Sequence, residues 1–222
     1  YGNKFFDEAQ MQVGAGYMVV MSNPRGSSGR EESWGQAILG PKHPIRPGSG
    51  WGSVDVDDVL AALDEALRRF PCADATRQGM LGGSYGGYMV AWINAHVKPG
   101  RYAAYVCHAG CFDWTAMFAD DAYTWHAKEL GAWYWDNMAQ VHAQSPHAHA
   151  KGMKTPTLVI HGAMDYRVPD AQGLAYYNTL KARGVDARLL WFPDENHWVL
   201  KPQNSVQWHD AVEAWLKRWT TP

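Results

Sequence analysis

The sequence has few cysteines, three in all. Cys72, Cys107 and Cys111 form an odd set with no C-x-x-C, so neither a disulfide framework nor a zinc ribbon is indicated, and a reducing, cytoplasmic setting is expected. Long apolar runs are missing too. The clearest ones, over residues 17–21 and 157–160, are strand-sized and far below the roughly 20 residues of a membrane span, so no membrane crossing is expected. Charge of one sign is not in excess, with 20 Lys and Arg against 22 Asp and Glu and a net charge of −2. That balance leaves no chain-wide attraction for phosphate backbones, and nucleic acid is not an expected partner. Residue 1 is Tyr and no charged segment followed by an apolar stretch opens the sequence, so the start reads as cut from something longer.

What is present is 222 residues, 46% of them hydrophobic, with no internal repeat. A chain of this size supports one packed domain over residues 1–222. Its apolar pattern alternates between helical periods and short runs. Helices are predicted over residues 5–13, 55–70, 85–97, 170–183 and 205–219, and strands over 17–21, 103–108, 157–160 and 187–192, with a further strand ending near Leu81. In the second helix Val56, Val59, Leu60, Leu63, Leu67 and Phe70 share a face, acids lie near its start, and Pro71 stops it. Strands alternating with helices imply an α/β fold, a mostly parallel sheet with helices on both faces. Residues 112–155 are rich in Trp, His, Tyr and Ala without a strand-like run, and read as a helical insertion at one end of the sheet.

The most informative string is Gly82-Gly83-Ser84-Tyr85-Gly86-Gly87, a G-x-S-x-G between a strand and a helix. A nucleophile elbow needs that context, with small residues two before and two after the serine, here Gly82 and Gly86. Ser84 is then the nucleophile, and the Tyr85 N–H at the helix start is an oxyanion donor. A serine hydroxyl is a weak nucleophile, so a base and an orienting acid are required from later loops at the same sheet edge. Asp165 follows the strand ending at Ile160, and His197 follows the strand ending at Phe192. The order Ser84, Asp165, His197 is the one expected on an α/β-hydrolase sheet. Among rivals, Asp170 reads as a helix N-cap, His161 as a packed strand-end residue, and His108 as a buried one. His142, His147 and His149 lack metal-ligand spacing, so no metal is expected, and acyl transfer by such a triad needs no organic cofactor. Trp114, Trp125, Trp133, Tyr134 and Trp135 either wall an apolar substrate pocket or pack the core.

At these residues the chain resembles the catalytic domain of the prolyl oligopeptidase family of serine peptidases, in particular its acylaminoacyl-peptidase and dipeptidyl-peptidase-like branches. The resemblance is carried by Asn23-Pro24-Arg25-Gly26-Ser27-Ser28-Gly29, by G-G-S-Y-G-G-Y-M from Gly82 to Met89, by Ser145-Pro146 with Lys154-Thr155-Pro156, and by His161-Gly162 with Asp165, Arg167, Val168 and Pro169. It implies Ser84, Asp165 and His197 as catalytic residues and Arg167 as a substrate contact, unless Arg167 is taken up by a nearby acid. It also implies that the first strands of the sheet, a propeller and the turn supplying a second oxyanion donor are lacking here. The expected function is cleavage of peptide or N-acyl-peptide bonds through an acyl-enzyme. A carboxylesterase with the same triad is one alternative. A non-catalytic fragment of a larger peptidase is another, acting as a homo-oligomer or with a missing N-terminal portion.

Overall fold

The structure is a computed structural model that describes residues 6–44 and 46–221. It divides into two compact units, one of Tyr1–Ala75 with Ala127–Gly131, the other of Thr76–His126 with Ala132–Pro222.

The first unit holds α1 (Asp7–Gly14), α2 (Glu32–Gln36) and α3 (Val54–Arg69). The expected helix start at Phe5 lies outside the described residues. The turn cluster Asn23–Gly29 is tied to α3 by Arg25, whose Nε and Nη2 donate to Asp58 at 2.8 and 2.7 Å. Asp55 is sealed from solvent and accepts the N–H groups of Gly52, Ser53 and Val56, fixing the start of α3. The strand expected over residues 17–21 is not formed. That run makes no ladder with another strand among the described residues, and Met18, Val20 and Met21 are exposed. A β-prone run becomes a strand only when a partner takes its N–H and C=O groups.

The second unit is a four-stranded parallel sheet in the order β1 (Gly79–Gly83), β2 (Ala104–His108), β3 (Thr157–Gly162), β4 (Ala187–Phe192). In chain order α4 (Tyr85–His96) follows β1, α5 (His126–Leu130), which apart from His126 belongs to the first unit, and α6 (Met138–Ala143) follow β2, α7 (Ala171–Ala182) follows β3, and α8 (Pro202–Thr220) follows β4. Only helical turns occupy the stretch between β2 and β3 among the described residues. Strand residues alternate faces. Cys107 and His161 look toward α4 and α7, where Cys107 Sγ donates to the Gly87 carbonyl and His161 abuts Gly173. His108 looks the other way, toward Trp208 of α8.

The core follows from that layering. α4 is apolar all round and buried from Gly87 to Asn94, as a helix enclosed by sheet and neighbours must be. Its one buried amide, Asn94, donates to Thr157 Oγ1 and Tyr176 Oη at 3.2 and 3.0 Å and accepts the Thr155 N–H at 3.1 Å. From the opposite layer Trp215 Nε1 donates to the Tyr105 carbonyl at 3.1 Å. These buried polar groups are thus paired, which spares the fold their cost of burial. Parallel strands leave all four carboxyl ends at one edge, and that edge is where the chemistry-bearing residues gather.

Candidate active site

Ser84 stands in the one-residue gap between β1 and α4 with φ 57° and ψ −117°, a left-handed backbone that L-residues rarely adopt and that costs roughly 1–3 kcal/mol. It is held there from both sides. Its N–H donates to the His108 carbonyl at 2.9 Å, and its own carbonyl accepts the Tyr88 N–H at 2.9 Å. The glycine requirement of the elbow proves one-sided. A Cβ on Gly82 would lie 2.1 Å from the Gly86 carbonyl oxygen, whereas a Cβ on Gly86 would meet nothing within 4 Å. Gly86 therefore matters as the backbone that Gly82 must clear. Gly87, not singled out from the sequence, is also tight: a Cβ there would lie 2.5 Å from Gly110 Cα. The residue before Gly110, Ala109, has φ 46°, a second strained position directly beside the elbow.

Asp165 sits three residues beyond β3 and is buried with its carboxylate fully partnered. Oδ1 accepts the N–H groups of Arg167 and Val168 at 2.9 and 2.8 Å. Oδ2 lies 2.7 Å from His197 Nδ1 and 3.4 Å from His161 Nε2. Burial pushes the carboxyl up, but hydrogen bonds from His161, His197 and the Val168 N–H outweigh it and hold Asp165 well below the usual carboxylate range. An ionised carboxylate on Nδ1 fixes the His197 tautomer and leaves Nε2 as the basic nitrogen.

The loop that carries His197 is knit by a residue the sequence reading passed over. Glu195 is buried; its carboxylate accepts the Leu200 and Lys201 N–H groups at 3.1 and 2.9 Å and an Asn204 amide hydrogen at 2.8 Å. These are the last two backbone donors before Pro202 opens α8. The Glu195 carbonyl accepts the Met164 N–H at 2.9 Å, and a Cβ on Gly162 would strike Glu195 and Asn196. The Asp165 and His197 loops are thereby joined through backbone. The available signal was an acid a few residues before a Pro-initiated helix. Gln172 was missed in the same way; its Oε1 accepts the N–H groups of Phe112 and Asp113 at 2.9 and 2.7 Å.

The structure brings His197 and Asp165 together. It places Ser84 at the same edge without a hydrogen bond from its hydroxyl to His197, a contact that is often long until substrate is bound. Tyr85 is the first residue of α4, where backbone N–H groups point out of the helix. Arg167 is exposed and engaged: Nε and Nη2 donate to Asp121 at 2.6 and 3.4 Å, the acid-paired outcome left open above. The Asp121 hydrogen bond raises its pKa. Asp170 stands at the start of α7 but makes no capping bond, and instead accepts Trp191 Nε1 at 3.3 Å. Of the aromatic residues, Trp114 is core: it is buried, and its Nε1 donates to the Gln144 carbonyl at 3.0 Å. Trp133 and Trp135 stack 5.0 Å apart beside Phe118, and Trp135 is exposed.

Comparison with known proteins gives relatives of this chain. Dipeptidyl-peptidase 5 of Porphyromonas gingivalis is 36% identical over 209 residues, which is 92% of this chain and 29% of that protein. Its counterpart in Schizosaccharomyces pombe is 33% identical over 207 residues, with 93% and 29% covered. The chain thus spans under a third of the length of these curated relatives. Among solved structures, the acylaminoacyl peptidase of Pyrococcus horikoshii superposes with a TM-score of 0.80 at 29% identity, covering 89% of this chain and 32% of that one. The sheet is accordingly of the α/β-hydrolase type. The sequence profile of the prolyl oligopeptidase family matches residues 3–222, the string around Ser84 and the Asp165 loop included, and the chain belongs to that family.

Proposed function

We propose that this chain carries the acyl-transfer centre of a serine peptidase, with Ser84 as nucleophile, His197 as general base and then acid, and Asp165 as the group that orients it. The observation that carries the reading is the 2.7 Å bond from His197 Nδ1 to Asp165 Oδ2, set at the same strand edge as a serine in strained backbone. His197 Nε2 takes the Ser84 proton as Oγ attacks the carbonyl, then delivers it to the leaving amine; water repeats the sequence on the acyl-enzyme. Buried and ionised, Asp165 favours the imidazolium that forms between the two transfers. The Tyr85 N–H faces the developing oxyanion, helped by the positive end of α4. Arg167, once released from the Asp121 pair, takes a substrate carbonyl in this reading.

Substrates of the classes named by the relatives, dipeptidyl and acylaminoacyl peptides, are the first to test. The unpaired Cys72, Cys107 and Cys111 favour a cytoplasmic setting. No helix among the described residues is long and apolar enough to cross a membrane. Labelling with a fluorophosphonate followed by peptide mapping tests the reading. Modification of Ser84 that disappears in Ser84→Ala and His197→Ala is expected, and an unlabelled Ser84 in the folded protein sinks it. A protein that is labelled yet turns over p-nitrophenyl esters and no peptide is a carboxylesterase instead. The coverage of under a third of the relatives supports a second reading, in which the chain reacts only as part of a longer polypeptide.

A further inference from the structure

His161, in β3, has no role in the mechanism above, yet it touches the acid of the site. Its imidazole is buried on the α7 face, with Nε2 2.7 Å from the Val168 carbonyl oxygen and 3.4 Å from Asp165 Oδ2. A carbonyl oxygen can only accept, so Nε2 carries the proton and donates to both. In the neutral ring Nδ1 is then bare, and it has no hydrogen-bond partner among the described residues. The ring cannot swing away. Gly173, third in α7, lies against it so closely that a Cβ there would sit 2.5 Å from Nδ1, 3.0 Å from Cγ and 3.2 Å from Cβ of His161. Strand end, helix and Asp165 loop therefore meet on one imidazole.

We propose that His161 is a positioning residue for the Asp165–His197 pair: its Nε2–H clamps the Asp165 carboxylate and the Val168 carbonyl together, and Gly173 is the wall that keeps the ring in place. The proposal rests on the triad reading given above. With Oδ1 occupied by two loop N–H groups, the His161 donor sets how Oδ2 is turned and how much of its charge is left for His197. The other charged and titratable groups here are few. His108 at the end of β2 is kept neutral by burial, the Cys111 thiol is pushed up by burial, Arg167 and Asp121 are paired with each other, and Glu195 is occupied by α8.

The test compares the pH dependence of Ser84 labelling by a fluorophosphonate in the wild type, His161→Leu, His161→Gln and Gly173→Ala. His161→Leu is expected to slow labelling about tenfold, the lower end of what a hydrogen bond to a charged group supports. Its acid limb moves to higher pH, because Asp165 with one donor fewer attracts the imidazolium more strongly. A role in packing alone leaves that limb where it is. His161→Gln, whose amide nitrogen reaches the same place, restores the limb and most of the rate, and Gly173→Ala, which displaces the ring, follows His161→Leu. Wild-type labelling in His161→Leu, or equal slowing in the Leu and Gln variants with no movement of the limb, overturns the proposal. Nitrogen-15 spectra of the histidine rings in the unsubstituted protein provide a check that needs no variant to fold. A proton on His161 Nε2 is expected, and one on Nδ1 refutes the clamp. If Ser84 of the wild type is not labelled, the triad reading falls. The clamp is then judged separately by whether Asp165→Asn moves the His161 Nε2 resonance; an unmoved resonance overturns it.

Discussion

Acidification should unfold this protein partly through His108, over a pH range that can be calculated. The residue ends β2, part of it reaches the surface, but Nε2 is sealed from solvent and has no hydrogen-bond partner among the described residues. Burial, with repulsion from His161 and His197 added and Asp165 opposing, pushes its pKa down to about 4. In an unfolded chain an imidazole titrates near about 6.5. Between those values the unfolded state binds a proton that the native state refuses, so stability falls as pH drops from about 6.5 and levels off below about 4. At about 1.4 kcal/mol per unit, the ceiling is about 3 kcal/mol, and partial exposure brings it to about 2. Carboxylates act lower: Asp165 and Glu195 are held below their ordinary values, so their stabilisation is present above the unfolded carboxylate pKa and is lost as pH falls through the depressed one. His96 and His147 are also pushed down by burial, and because they are common to both proteins they cancel in the comparison with His108→Leu. That variant gives up no bond at Nε2 and keeps the backbone carbonyl that holds the Ser84 N–H. Urea unfolding at about pH 7 and about pH 4.5, at fixed ionic strength, should show the wild type losing about 2 kcal/mol more than His108→Leu on acidification. Equal losses in the two proteins refute the reasoning.

Gly82→Ala should eliminate Ser84 labelling and lower the melting temperature, since the new Cβ meets the Gly86 backbone at 2.1–2.8 Å and overpacking against main chain costs about 1–3 kcal/mol or more; Gly86→Ala, with open space around its Cβ, should be far milder in the same assays. Gln172→Leu leaves the Phe112 and Asp113 N–H groups without their acceptor, and a loss of about 2–4 kcal/mol in urea unfolding is expected for the two donors, one buried and one half-buried. Arg167→Ala removes an exposed pair with Asp121, so the melting temperature should not change while KM for a peptide substrate rises; a lowered melting temperature with unchanged KM assigns Arg167 a structural role.

The order of elements and the place of each candidate residue were legible because they are local properties. Strand-sized apolar runs, helical spacing over 55–70, and Gly82-Gly83-Ser84-Tyr85-Gly86 between strand and helix are written in neighbouring residues, and chain order then puts Asp165 and His197 after successive parallel strands. Residues 17–21 have the same local signature as a strand and are not one, because strand formation depends on a partner that the run does not contain. Several further features have no local signature at all. They are the strained φ at Ala109, the closeness of Gly87 to Gly110 and of Gly173 to His161, and the two acceptors shared by His161 Nε2. Each depends on which distant backbone comes within a few ångströms. Packing decides that: burial leaves a polar group with the partner the fold supplies, while the identity of the residue says only that it needs one.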